Sequence, residues 1–251
     1  VRLSLDLDLQ RQADNLLGDI PGAIVLVNAA SGEILAMASH PTFNPNELDA
    51  QASTLFQDPH SPFLNLAAQG LYPPGDALQP FILASGFNVW QTKDFFEEMS
   101  AALGFYSSPE LRLPVAVASR PETDLLISPL QMALAASALS NHGVRPAPVL
   151  AVAVSSPNEG WIILPALSGP VTVFESARAT DVTAELIING LPIWQWNTIV
   201  TKGDQVYSWS LGGTLSSEQS TPLAVVVLLE EVDPTMAGAI GKTLLETSLN
   251  P

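Results

Sequence analysis

Three short apolar runs rich in β-branched residues lie far apart in this chain: Gly22 to Val27, Ile34 to Ser39, and Leu223 to Leu229. The first two flank Asn28-Ala29-Ala30-Ser31-Gly32, which has hairpin-turn chemistry, so they read as adjacent antiparallel strands. Trp194 to Val200 and Val206 to Leu211 add two more strands, the second partly polar. Elsewhere the apolar spacing becomes helical, over Leu7 to Leu17, Ala77 to Val89, Lys93 to Leu103, and Ile127 to about Asn141. Thr183 to Ile188 and Pro234 to Leu249 read the same way, the latter with proline at its start. Strands at both ends, with helices between and after them, require one sheet assembled from distant segments. The expected fold class is therefore α/β (α+β): a five-stranded antiparallel sheet flanked by helices. The two terminal helices should cover one face and the helices of the middle segment the other. We expect one domain over 1–251, with the sheet drawn from 20–40 and 193–230 and the helical part from 65–145. His40 to Asp58 and Ser107 to Thr123, both interrupted by prolines, read as loops.

Composition narrows the function. With 47% hydrophobic and 14% charged residues, the chain must fold rather than stay disordered. Nine basic residues against 25 acidic give a net charge of −16, which argues against nucleic acid and anionic lipid as partners. The absence of cysteine rules out disulfides and thiol catalysis. No apolar run approaches the roughly 18 residues of a membrane span. Val1 to Gln10 alternates like a strand and lacks a signal-peptide pattern. We therefore expect part of a longer protein, with any membrane anchor outside this segment. No cofactor or metal is expected. Walker-type and dinucleotide glycine patterns are missing, and His40, His60 and His142 fall singly in expected loops. Glu97-Glu98 and Glu230-Glu231 are adjacent pairs, which read as solvated surface.

The most specific stretch is Asn65 to Pro80, N-L-A-A-Q-G-L-Y-P-P-G-D-A-L-Q-P. It resembles the nucleophile segment of penicillin-binding transpeptidases, where N-R-A-x-x-G-x-Y-P-P-G leads into S-x-x-K-P. That S-x-x-K signature carries the acylated serine, and its companions are S-x-N and K-T-G. Asn65, Ala67, Gln69, Gly70, Tyr72, Pro73, Pro74, Gly75 and Pro80 fall in register without a gap. Asp76 stands where the resemblance places the serine, and Gln79 where it places the lysine. Two further segments resemble the same family. Pro21 to Asn46 is similar to its opening hairpin, with Asn28 in place of the usual aspartate, and Ile127 to Pro146 to its T-P-L-Q-x-A helix. The family's fold is the one expected above.

The other two motifs are weaker. Trp209-Ser210-Leu211-Gly212 is similar to the family's W-F-x-G run, and counting back places Gln195-Trp196-Asn197-Thr198 at K-T-G-T. Thr201-Lys202-Gly203 is the competing register, but its residue order is wrong. On the preferred register Gln195 replaces the second lysine, Trp196 replaces a small threonine, and Asn197 replaces the glycine that lets substrate approach. Gly86-Phe87-Asn88 could be the S-x-N remnant, with only six residues between Gln79 and Gly86, so the helical subdomain looks shortened; Asn88 as an ordinary polar helix residue is an equal reading.

Acyl transfer to serine needs a nucleophile, a base and oxyanion donors. An amide cannot serve as a base, and Asp76 is read instead as a cap for the helix starting near Ala77, favoured there by the helix dipole. The expectation is a catalytically inactive transpeptidase-like domain, a structural or protein-interaction module of the cell envelope. Its partners would be other envelope proteins or peptidoglycan. The alternatives are a non-covalent binder of peptidoglycan peptides or β-lactams and, third, a hydrolase using Asp76 in new chemistry.

Overall fold

The computed structural model describes residues 1–86, 93–117, 119, 124–215 and 221–249. The chain opens on β1 (Arg2–Leu3) and enters α1 (Leu7–Leu17). Asp6 starts that helix, its carboxylate accepting the N–H groups of Asp8 and Leu9 at 2.9 and 3.1 Å. β2 (Gly22–Asn28) and β3 (Ile34–His40) form the expected hairpin. Asn28 closes it by accepting from Ala30 N–H and Ser31 N–H. Gly32 follows at φ +77°, pressed so closely on the Ala147 carbonyl that a side chain has no room.

The middle segment is helical. A 3-10 turn at Pro45–Glu47 leads into α2 (Leu48–Gln57), followed by α3 (Leu66–Gln69) and a second 3-10 turn at Gly75–Leu78. Then come α4 (Gln79–Ala84), α5 (Lys93–Ala102) and α6 (Pro129–Ser140). α6 is buried at every residue and mostly apolar on all sides, as a helix inside a core must be, its few polar side chains hydrogen-bonded. Ser128 and Gln131 form a capping box at its start. Short strands follow: β4 (Val144–Arg145), β5 (Ala151–Ser156), β6 (Gly160–Ile163) and β7 (Val171–Thr172). α7 (Ser176–Glu185) leads to β8 (Ile193–Lys202), β9 (Gln205–Thr214), β10 (Leu223–Leu229) and α8 (Pro234–Leu249).

The main sheet has the order β3-β2-β10-β9-β8, antiparallel throughout. β10 is buried along its whole length, which explains its unbroken apolar run: both of its faces are covered. On one face Leu17 of α1 and Ile240 and Leu244 of α8 pack with Ile24, Leu26, Val225 and Val227. On the other, Phe81 of α4 and Leu130 and Leu134 of α6 belong to the core that holds Val25, Val27, Val226 and Leu228. Each such side chain contributes roughly 1.5–3 kcal/mol on leaving water. This is the architecture read from the sequence, terminal helices on one side and the middle helices on the other.

Several expectations need correction. His40 to Asp58 is not all loop: it holds α2, which buries none of its residues and so shows no core-facing period. His40 itself ends β3, buried, with Nδ1 2.7 Å from the Gly18 carbonyl. Of the helix expected over Ala77 to Val89, the described part is a 3-10 turn plus the six residues of α4, followed by Gly86 at φ +84°; residues 87–89 lie outside the described residues. The helix placed at Thr183 to Ile188 lies at Ser176–Glu185. Residues 144–172 supply four short strands in two small sheets, β5-β6 completed by β1 from the N-terminus and β4-β7, which the sequence reading did not anticipate. Among the described residues no helix is long and apolar enough to cross a membrane.

Candidate functional site

The segment from Tyr72 to Gln79 packs against β8 and β9 and is fastened at several points. Tyr72 and Ile127 exchange two backbone hydrogen bonds of 3.0 Å. The indole Nε1 of Trp209, a fully buried residue of β9, donates to the Pro73 carbonyl at 3.0 Å. Gly75 takes φ +46° against Val200 of β8, whose methyl groups lie 2.9 Å from where a Cβ would stand. Trp196 of β8 donates from its Nε1 to the Asp76 carbonyl at 3.0 Å. Two indoles from neighbouring strands therefore grip the backbone on either side of Gly75. The Tyr72 hydroxyl donates to Glu230 Oε1 at 2.8 Å. Burial first, then the Glu230 charge, pushes that hydroxyl far above the usual tyrosine range, and the same two causes raise Tyr207 beside it.

Asp76 sits inside the 3-10 turn, not at its N-cap, which is Pro74. It is exposed, and neither this turn nor α4 has a side-chain cap hydrogen bond. The expected capping role is therefore overturned. The turn is ordered through main-chain atoms, the Asp76 carbonyl accepting both the Gln79 N–H and the Trp196 indole. Gln79 opens α4, half-buried, with Pro80 next in the helix.

This geometry has relatives. Residues 22–94 match the family model of the penicillin binding protein transpeptidase domain. The peptidoglycan D,D-transpeptidase MrdA of Escherichia coli K12 is 33% identical over 94 residues, covering 36% of this chain and 15% of that protein. Its counterpart in Acinetobacter baumannii is 40% identical over 91 residues, 34% of this chain and 14% of that one. These matches thus span only a small part of each relative's length. Across the whole fold the likeness is broader. The D,D-transpeptidase domain of a peptidoglycan glycosyltransferase from Eggerthella lenta superposes with TM-score 0.85 at 18% identity, over 99% of this chain and 82% of that one. Penicillin-binding protein A of M. tuberculosis, solved as an imipenem acyl-enzyme complex, gives 0.86 at 20% identity, over 99% and 79%. The fold is that of a penicillin-binding transpeptidase domain.

Within this transpeptidase fold the residues singled out from sequence do not converge. Asp76, Gln79 and Trp196 lie together at the turn. Gln195 and Asn197 do not join them, because successive residues of a strand point to opposite faces. Trp194 and Trp196 face the helical side, where Trp194 donates to Ser140 Oγ at 2.9 Å. Gln195 faces α8: its Nε2 donates to the Gly238 carbonyl at 2.7 Å, and Asn197 Nδ2 approaches Gln195 Oε1 at 3.4 Å. The sheet thus separates Gln195, read as the replaced second lysine, from Asp76. Gly86, at positive φ, lies beside the Arg178 guanidinium, while Asn88 is outside the described residues. Among the described residues no three His, Asp or Glu side chains group as a metal site requires.

Sequence reasoning missed Glu230, read as plain surface, and the clamping role of Trp209. The signal for the first was its position directly after the fully apolar β10, where a charged side chain borders buried groups. The signal for the gripped turn was the alternation Trp194, Trp196, Thr198 against Gln195, Asn197: two indoles at period two mark the covered face of a strand.

Proposed function

We propose that this domain is a catalytically inactive penicillin-binding transpeptidase, retained as a structural or protein-interaction module of the cell envelope. The observation that carries the reading is Asp76. It occupies the turn where the resemblance places a serine, on a backbone held by Trp209, Val200 and Trp196. A carboxylate there offers no hydroxyl to acylate. Its would-be partner one turn on, Gln79, is an amide that takes no proton. The Trp196 indole further supports this reading, because it spans from β8 to the turn where a ligand would have to lie. Gln195, whichever register it descends from, is committed to Gly238 on the far face. The envelope setting rests on the relatives, named peptidoglycan D,D-transpeptidases. Fluorescent penicillin followed by denaturing electrophoresis tests the proposal, with M. tuberculosis penicillin-binding protein A as the positive control. A band from this domain that survives boiling refutes it.

A further inference from the structure

Most of the chain's few cations have visible partners. Arg11, Lys93, Lys202 and Lys242 reach carboxylates, Arg112 a carbonyl, and Arg2 the ring of Trp161. Arg145 does not. It lies in β4, held by pairing with Val171, and its side chain lines a cavity of about 310 Å³ between α6 and the loop after α5. Its Nε is buried without a hydrogen-bond partner, and none of the described carboxylates ion-pairs with its guanidinium, although Glu110 stands on the same cavity wall.

The surroundings explain why nothing internal satisfies it. Gly104, at φ +83°, lets the guanidinium lie against its backbone; a Cβ there would meet Nη1 at 3.0 Å. The nearby loop carbonyls are the natural acceptors, but Gln131 has claimed them. Its Nε2, on a residue only 3% exposed, reaches the carbonyls of Gly104, Phe105 and Ser107 at 3.3, 3.4 and 3.0 Å. The rim of the cavity is thus fixed by a buried amide, with the carbonyls of Gly104, Phe105 and Ser107 tied to Gln131. Burial pushes the Arg145 pKa down, as it must where no anion offsets the lost hydration. A partly desolvated, unpaired cation is unfavourable, and an anion supplied from outside would relieve it.

We propose that this cavity is a binding site for a small oxyanion, a carboxylate or phosphate group, received by the Arg145 guanidinium with Ser168 on the same wall. A planar fork of N–H donors matches either group bidentately, and a volume near 310 Å³ holds a ligand of amino-acid size. The protein's net charge of −16 and Glu110 at the wall work against long-range capture, so binding rests on the local contact and is weak.

The test is a titration of ¹⁵N-labelled protein with acetate and, separately, inorganic phosphate at constant ionic strength, following the Arg145 Nε–Hε resonance. The expected result is a saturable shift with at least one of them, absent when sodium chloride replaces the anion. Saturation by acetate alone or by phosphate alone identifies the group; both support the site. Arg145→Gln should weaken binding about tenfold or more, the loss of a charge-assisted hydrogen-bonding partner. Should that variant not fold, the wild-type resonance still decides the matter. No saturable shift, or the same shift with chloride, overturns the proposal.

Discussion

Replacing Trp209 by phenylalanine separates the two indole clamps by their energetics. Trp209 is fully buried and its Nε1 donates to the Pro73 carbonyl at 3.0 Å, with Tyr72 packed edge-on 6.3 Å away. Phenylalanine keeps an aromatic ring but removes the donor and part of the volume. A carbonyl deprived of its partner beside a buried ring costs about 1–3 kcal/mol, and the unfilled space adds about 1 kcal/mol. The sum is about 2–4 kcal/mol. Trp196→Phe removes an equal-length bond, but at an exposed turn whose carbonyl also accepts from Gln79 and can turn to water. That change should stay near or below about 1 kcal/mol. Urea melts followed by circular dichroism measure both, read from midpoints at unchanged slope. Equal losses for the two variants, or a Trp209→Phe loss below about 0.5 kcal/mol, would refute the reasoning.

Three further outcomes follow from the same geometry. Asp76→Ala should change stability by no more than about 0.5 kcal/mol, since the exposed carboxylate caps nothing; a denaturant melt showing a loss above about 1 kcal/mol would restore the capping role. Asp76→Ser should remain unacylated on incubation with excess β-lactam, because Gln79 supplies no base; quantitative adduct by intact mass would show that the turn needs only a hydroxyl. Tyr72 is raised above its ordinary 10.0, so in alkali the unfolded chain sheds this proton before the folded one does. Stability is therefore full below about pH 10 and declines as pH rises beyond it, and Tyr72→Phe should flatten that decline in pH-dependent urea melts.

The fold was largely legible because its sheet is written in redundant signals. β2, β3 and β10 are unmistakable apolar runs, and Asn28 and Gly32 mark the hairpin through a side-chain bond and a backbone no other residue fits. α6 announced itself through Ser128, Pro129 and Gln131. What stayed hidden lacked a core-facing pattern. α2 buries nothing, and residues 144–172 form small patches, one of them completed by β1, whose strands are too short for periodicity to register. The candidate site was legible in part. The Pro73-Pro74-Gly75 approach is a turn as expected, yet the helix start was misplaced because a 3-10 turn opens one residue before Asp76, at Gly75. The face of Gln195 could not be read from residue type, since a shift of one position in a strand exchanges its two sides. Trp194 and Trp196 carried that information and, taken as a pair, would have turned Gln195 toward α8.

Whether this turn can be acylated decides whether the domain is inactive. Intact-mass spectrometry of the wild-type domain after prolonged incubation with excess penicillin G measures it directly. The predicted spectrum is the unmodified chain alone. A species heavier by the mass of the opened antibiotic, surviving denaturation, would contradict the central claim and make Asp76 or another residue of this site a working nucleophile.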